Sequence, residues 1–382
     1  MSHASLDGGP PMTGKARFLT APITAHPRHV SKRVRRSVGL FPALLVGCGG
    51  AGVLLGLLGA PAFRVGAGPS YWSATFDVLN NFLPIWAGLI ALGLALALVR
   101  RRPTSRIFLG TSALLLITAL APIASEVAGA PERVARPLGA DAGRSLRLIQ
   151  FNALNSNVEL GKALDLAMEH DADLIMVEEP NAFRGLEPYL EARYPFSTPC
   201  PRQRCRAIIY SRLEPLAAEY ETLRGDWFRP SYSIANGPIG VASMELRGPD
   251  GEPFTVMATH FHWPYPVMPV AQQRRVFLDH LAGLDRTRTV VAGDFNLTPW
   301  TYEMRKLDSH LLPMERVTRA LATYPVPLQS GQLPVPLPVL PIDHVYAGSR
   351  WELIDAERGP DGGSDHYPVI VDLIMPSRPD AS

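Results

Sequence analysis

The chain has 382 residues, 47% of them hydrophobic, and a formal net charge of +2; it is long enough for two domains, and its composition changes sharply near residue 125. Three cysteines with no second Cys or His pair at matching distance exclude a zinc framework. Residues 144–382 hold 23 Lys and Arg against 30 Asp and Glu, a formal charge of −7, which argues against a tight nonspecific nucleic-acid binder because that grip comes from basic groups neutralising phosphates.

The N-terminal third contains three apolar runs, 38–60, 82–99 and 107–124, each about long enough to cross a bilayer. They are expected to be three transmembrane helices. The first is rich in glycine (Gly47, Gly49, Gly50, Gly52), which lets helices approach closely in lipid; the second starts beside Asn80, Asn81 and Pro84. A cleavable signal peptide is the alternative for the first run, but a polar tail of over thirty residues precedes it and two more runs follow. Basic residues set the orientation. Lys15, Arg17, Arg28, Lys32, Arg33, Arg35 and Arg36 precede the first run and Arg100, Arg101, Arg102 and Arg106 follow the second, whereas the loop between them has only Arg64. The positive-inside rule puts the tail 1–37 in the cytoplasm. Three spans then place the rest outside, on the periplasmic or outer face of a bacterial inner (cell) membrane.

Residues 125–143, rich in Ala, Gly and Pro, read as a linker from the membrane region 38–124 to a domain over 144–376, with a short tail 377–382. Within that domain, strands are expected at 147–151, 173–177, 206–210, 239–246, 255–259, 289–292, 342–346 and 369–374, and helices at 158–170 and 269–284. The many β-to-β connections are unlike a simple doubly wound sheet. Prolines bar 333–341 from helix or central strand, so it is expected as an extended loop. Cys200 and Cys205 could close a loop disulfide in an oxidising compartment, or remain two thiols. No internal repeat is visible.

Several short apolar β-type runs end in, or lead to, a carboxylate or imidazole, which is how one site is assembled from distant segments. They are Val290-Val291-Ala292-Gly293-Asp294-Phe295-Asn296, Asp173-Leu174-Ile175-Met176-Val177-Glu178-Glu179 and Ala258-Thr259-His260, joined by the turn Gly363-Ser364-Asp365-His366-Tyr367-Pro368. Asp and Asn are also ordinary turn formers, so no one motif suffices. With Phe151-Asn152 and Ile342-Asp343-His344, the order Asn, Glu, His, Asp-x-Asn, Asp, Asp-His resembles the endonuclease/exonuclease/phosphatase superfamily over roughly 144–376.

That resemblance implies the deoxyribonuclease-I-like fold, an α/β (α+β) four-layer sandwich of two β-sheets flanked by helices, here preceded by three transmembrane helices. It also implies phosphate-ester hydrolysis with Mg²⁺ or Mn²⁺ on hard oxygen ligands. By the same resemblance Glu179 is the principal metal ligand, Asn152 lies beside it, and Asp365 is close to the same or a second ion. Asp294 orients or deprotonates the attacking water, Asn296 holds a phosphate oxygen, His260 and His366 flank the phosphate, and Asp343 fixes the His366 tautomer. On a strand Glu178 and Glu179 would face opposite ways, so one of them serves the site; motif order favours Glu179. His262 and His344 read as packing or surface residues.

Members of this superfamily hydrolyse DNA, RNA, inositol phosphates and sphingomyelin with one core site, so the resemblance implies the chemistry and leaves the substrate open. The inositol polyphosphate branch carries Cys-Asp-Arg where this chain has Ile342-Asp343-His344, which disfavours it. Arg202, Arg204, Arg206, Arg274 and Arg275 keep a nucleic acid in view as the nominal substrate. Trp263 and Tyr265, just after His260, suit base stacking, a membrane interface or simple loop packing. A lipid head-group phosphate is the second reading, and a membrane sensor that binds a phosphorylated ligand without turnover is the third. The oligomeric state is not legible.

Overall fold

The structure is a computed structural model that describes residues 32–60, 71–99, 105–137, 145–201, 205–224, 238–265, 267–326 and 338–376. The basic positions Lys15, Arg17, Arg28, Arg64, Arg100, Arg101, Arg102, Arg202 and Arg204, the proline-rich residues 333–337 and the tail 377–382 lie outside these. Two compact units divide the chain: Met1–Phe41, of which only the opening turns of a helix are described, and Pro42–Ser382, which holds all that follows.

Helix α1 (Lys32–Leu57) begins inside the basic tail. Helix α2 (Tyr71–Asp77) runs through a 3₁₀ turn (Val78–Phe82) into α3 (Leu83–Val99), and α4 spans Arg106–Ala128. Leu40–Leu57, Trp72–Val99 and Arg106–Ala128 are each long and apolar enough to cross a membrane. Glycine permits close packing of α1 on α3, since a Cβ on Gly49 would sit 2.6 Å from the Trp86 carbonyl oxygen.

The expected linker is partly built into the domain. Helix α4 continues to Ala128 because the Glu126 carboxylate is gripped by both terminal nitrogens of the Arg316 guanidinium, in a pair that is buried on both sides. Farther on, Val134 N–H donates to Leu353 O at 2.8 Å and Arg133 pairs with Asp355 at 2.5 Å, so this segment lies along a strand of the domain instead of hanging free.

The domain runs β1 (Ser145–Asn152), α5 (Leu160–Glu169), β2 (Leu174–Glu178), α6 (Asn181–Arg184), α7 (Glu187–Leu190), β3 (Phe196–Ser197), β4 (Ala207–Ser211), β5 (Ala217–Leu223), β6 (Ile239–Arg247), β7 (Pro253–His260), α8 (Val267–Leu281), β8 (Thr289–Asp294), α9 (Tyr302–Leu311), β9 (Glu315–Arg316), β10 (Asp343–Ala347), β11 (Glu352–Arg358) and β12 (Val369–Ile374). One six-stranded sheet has the order β11-β12-β1-β2-β4-β3 and the other β5-β6-β7-β8-β10-β9. Each contains one parallel pair, β1 with β2 across α5 and β7 with β8 across α8. Strands of a pair covered on both faces read as continuous apolar runs, which is why Leu174–Glu178 and Thr289–Asp294 are wholly buried.

Side-chain alternation sorts those runs into layers. Leu146, Leu148, Leu174, Met176, Val256, Ala258, Val290, Ala292, Val345 and Ala347 form the core between the sheets. The intervening residues face outward: Ile149, Phe151, Ile175 and Val177 pack with Ala163 and Leu166 of α5, and Met257, Val291 and Tyr346 with Phe277 of α8 and Met304 of α9. The result is the deoxyribonuclease-I-like four-layer sandwich, with three apolar helices ahead of it.

Candidate active site

The site is the polar end of the core between the sheets. Following the same alternation along each strand, Leu146 and Leu148 lead to Gln150 and Asn152, Leu174 and Met176 to Glu178, Val256 and Ala258 to His260, and Val290 and Ala292 to Asp294. Strand β10 runs the other way and begins with Asp343, paired across from Asp294. Asn152 is likewise paired with Glu178, and His260 with Asp294. Both parallel pairs therefore deliver polar residues at their C-terminal ends, the usual place for a ligand in an open α/β sheet. Gly293 is required where β7 and β8 close up, since a Cβ there would lie 1.9 Å from the Thr259 carbonyl oxygen.

The strands end in strained turns. Leu154, Glu179 and Asn296 have φ of 56°, 51° and 51°, a left-handed backbone that costs a non-glycine residue roughly 1 kcal/mol or more and gathers at functional sites. Asn296 is held there by its own N–H donating to Asp294 Oδ1 at 2.8 Å and by its Nδ2 donating to the Phe261 carbonyl at 2.9 Å.

Asp294 Oδ2 accepts from Asn152 Nδ2 at 3.0 Å and Asn296 Nδ2 at 3.2 Å; His260 Nε2 lies 3.5 Å away and His366 Nε2 3.8 Å. Asp343 Oδ2 bonds His366 Nδ1 at 2.8 Å and accepts from Thr323 Oγ1 at 2.6 Å, while its Oδ1 accepts from Gln150 Nε2 at 2.9 Å. Asn152, His260, Asp294, Asn296, Asp343 and His366 are thus brought together. Gln150 and Thr323 were missed. Gln150 carried a signal, a polar residue two before Asn152 in an apolar strand; Thr323 carried none, because it reaches the site from a loop remote in sequence.

The two glutamates divide differently from the strand argument. Strand β2 stops at Glu178, so alternation does not extend to Glu179. Glu178 is fully buried and accepts from Gln150 Nε2 at 2.8 Å; half-buried Glu179 turns back over the β1–α5 connection and accepts from the Asn155 N–H at 2.9 Å. Asp365 is half-buried at the rim, its carbonyl accepting from the Val326 N–H at 2.9 Å. His344 faces the helical layer, bonded to the Leu297 carbonyl at 2.9 Å, and burial lowers it to about 4, so it packs neutrally as expected.

Burial sets the charges in the site. Burial raises Glu178 well above the usual carboxylate range and carries Asp294 to about 8. Burial alone would lower His366, but the carboxylates of Asp343 and Asp294 overcome it and hold the imidazole at about 10; Asp343 is in turn lowered by that cation despite its burial. Burial, with the Arg206 cation next in weight, drops His260 to about 3, leaving it neutral. With Glu178 and Asp294 protonated by burial, Asp343 and the His366 cation balance, and Oε1 of both Glu178 and Gln150 has no hydrogen-bond partner. A bound cation would displace those acid protons. One ligand atom each from Asp294, Asp343 and His366 lies within 4.8 Å of the others, a possible metal-binding group.

Two packed sheets whose parallel strand ends converge on buried carboxylates and imidazoles define the class, a deoxyribonuclease-I-like sandwich with a candidate hydrolytic site. The chain belongs to the endonuclease/exonuclease/phosphatase family, which it matches over residues 149–366. No curated protein matches it. Among solved structures it is similar to an endonuclease/exonuclease/phosphatase from Beutenbergia cavernae DSM 12333, 18% identical, covering 62% of this chain and 73% of that one with a TM-score of 0.48. D. rerio TDP2 complexed with single strand DNA product is 15% identical, covering 60% and 98% at a TM-score of 0.48. The human Nocturnin catalytic domain with bound sulfate anion is 15% identical, covering 61% and 94% at a TM-score of 0.46.

Proposed function

We propose that the protein is a membrane-anchored, divalent-metal-dependent phosphoesterase that hydrolyses phosphodiester bonds, an endonuclease/exonuclease-type hydrolase in the broad sense. The observation that carries this reading is the chain Asp343–His366–Asp294, a buried carboxylate bonded to an imidazole that faces a second carboxylate. Asp343 orients His366 through Nδ1 and keeps it cationic, so Nε2 is presented as a donor to a phosphate oxygen. Asp294 in its ionised form receives the proton of the attacking water, Asn296 Nδ2 gives up its 3.2 Å bond to Asp294 to hold a phosphate oxygen, and neutral His260 closes the other side beside Asn296 at 3.3 Å.

Asn152, Glu179 and Asp365 would hold Mg²⁺ or Mn²⁺, which when bound neutralises phosphate charge and polarises the P–O bond. The trio Asp294, Asp343 and His366 is assigned to proton handling because His366 Nδ1 and Asp343 Oδ2 already engage each other. We assign 38–124 to the membrane and 144–376 to catalysis outside the cytoplasm; the Cys200–Cys205 disulfide supports an oxidising compartment. A reporter active only when exported, fused after residue 143, should be active, and an inactive fusion would overturn that orientation.

The test is Mg²⁺- and Mn²⁺-dependent hydrolysis of plasmid DNA, RNA and mixed phospholipids by the full chain in detergent, beside Asp294→Asn and His366→Ala. Each variant should lose roughly 10²–10⁴-fold. Saturable binding of a phosphorylated ligand with no turnover would instead establish the sensor reading.

A further inference from the structure

The loop that carries Asn296 does not end in solvent. Two residues on, Thr298 donates through its N–H and its hydroxyl to Asn81 Oδ1, at 2.9 and 3.1 Å. Trp300 Nε1 donates to the Asn81 carbonyl at 3.3 Å, and the Trp300 ring belongs to the apolar cluster of Val53, Leu83, Ala87, Ile90 and Ala119 in the helix bundle. Both oxygens of Asp77 accept backbone N–H groups at the start of α9, from Tyr302 and Glu303, each at 2.9 Å. Asn80 Nδ2 in turn donates to the Gly56 carbonyl, so the C-terminal end of α1 and the N-terminal end of α3 lie together. The polar ends of the candidate spans and a site loop are one hydrogen-bonded structure.

The second site loop reaches the same place. Pro264, in the loop after His260, lines a small cleft together with Ala74 and Val78 ahead of α3 and with Leu297 of the Asn296 loop. Its neighbours Trp263 and Tyr265 are 64% and 61% exposed, so they do not pack the loop, and Trp72 on the first turn of α2 is 70% exposed. Trp and Tyr concentrate at the level of lipid head groups, where one edge is wet and the other apolar. Here they flank helices long and apolar enough to span a bilayer.

Resting on the phosphoesterase reading above, we propose that the site works at the bilayer surface, with Trp72, Trp263 and Tyr265 seated in the head-group layer, and that its substrate is a phospholipid. Hydrolysis there forms a bond from the water oxygen to phosphorus and breaks one P–O ester bond; the departing oxygen takes a proton, and no other reactant is needed.

The test uses the full chain reconstituted in vesicles of phosphatidylglycerol and phosphatidylethanolamine, with a single-stranded DNA oligonucleotide and bis(p-nitrophenyl) phosphate as competing and soluble probes. Phosphate ester in the vesicles should be cleaved at least about tenfold faster than the oligonucleotide, and the double variant Trp263→Ser with Tyr265→Ser should lower the ratio of vesicle to soluble-probe rates about tenfold. Cleavage of the oligonucleotide at an equal or higher rate would overturn the proposal while leaving the phosphoesterase reading intact. So would an unchanged ratio in the double variant. Failure to hydrolyse any of the three would remove the phosphoesterase reading itself.

Discussion

Replacing Asp343 by Asn separates the electrostatic from the packing role of the buried dyad. The Asp343 carboxylate takes three hydrogen bonds, from His366 Nδ1 at 2.8 Å, Thr323 Oγ1 at 2.6 Å and Gln150 Nε2 at 2.9 Å. An Asn of the same shape keeps its oxygen on Thr323 and His366, and its Nδ2 faces Gln150, whose Oε1 lacks a partner and can turn to accept it. The fold should therefore survive. What is lost is the charge that holds His366 at about 10 against its burial.

The sign follows from linkage. Because the folded value lies above the ordinary 6.5, the stabilisation is fully present below pH 6.5 and is lost as pH rises through about 10. Asp294, raised to about 8, also withdraws stability as pH rises from its ordinary 3.8 to that value, and buried tyrosines such as Tyr210 and Tyr346, raised above their ordinary 10, withdraw it from about pH 10 upward, so His366 is read from the difference between wild type and variant over about pH 8.5 to 10. Thermal unfolding of the wild type in detergent should fall across that range more steeply than that of Asp343→Asn, by a difference worth about 2 kcal/mol. Activity on a soluble phosphodiester at neutral pH should drop roughly 10³-fold or more, as when a carboxylate behind a catalytic imidazole is made neutral. An activity loss below tenfold, or the same pH dependence of stability in both proteins, would refute the assignment of Asp343.

The paired glutamates should respond in opposite ways. Glu178→Gln removes an acid that burial already keeps protonated and gives Gln150 Oε1 a donor, so thermal stability should hold or rise, with activity within about threefold. Glu179→Gln should weaken metal activation by more than the roughly 10–100-fold typical of an outer-shell change, read as the midpoint of a Mg²⁺ titration. Equal effects of the two would place both carboxylates on the ion. Trp300→Ala should cost about 3–5 kcal/mol, the size of a buried aromatic truncation, and lower the melting temperature of the full chain; an unchanged melting temperature would show that the domain is not seated on the helices.

Much of this architecture was written in the strands themselves. The runs ending in Asn152, His260 and Asp294 are apolar and turn polar at one end, so the location of the candidate site could be read from them, while the layer arrangement came with the family resemblance. Edge strands were harder to see. Strand β5 is exposed or half-buried throughout and β11 is rich in Glu, Asp and Arg, because an edge facing water needs little apolar sequence. Helix α9 was also missed; its start is set by Thr301, whose hydroxyl caps the Met304 N–H, and by Asp77, 225 residues away from Tyr302. The Glu178 and Glu179 roles were obscured because strand periodicity says nothing past the last paired residue. Asn80 and Asn81 are visible as polar residues at the head of an apolar run, but their partners at Gly56 and Thr298 are tertiary facts with no local signature.

The most direct measurement is hydrolysis of bis(p-nitrophenyl) phosphate by the full chain in detergent, first stripped with EDTA and then titrated with Mg²⁺ or Mn²⁺, beside Asp294→Asn. Turnover should be absent without metal, return with saturable dependence on the ion, and remain at least about 10²-fold lower in the variant at every metal concentration. Turnover that survives EDTA, or that Asp294→Asn leaves unchanged, would contradict a metal-dependent hydrolytic site at the polar end of the core between the sheets.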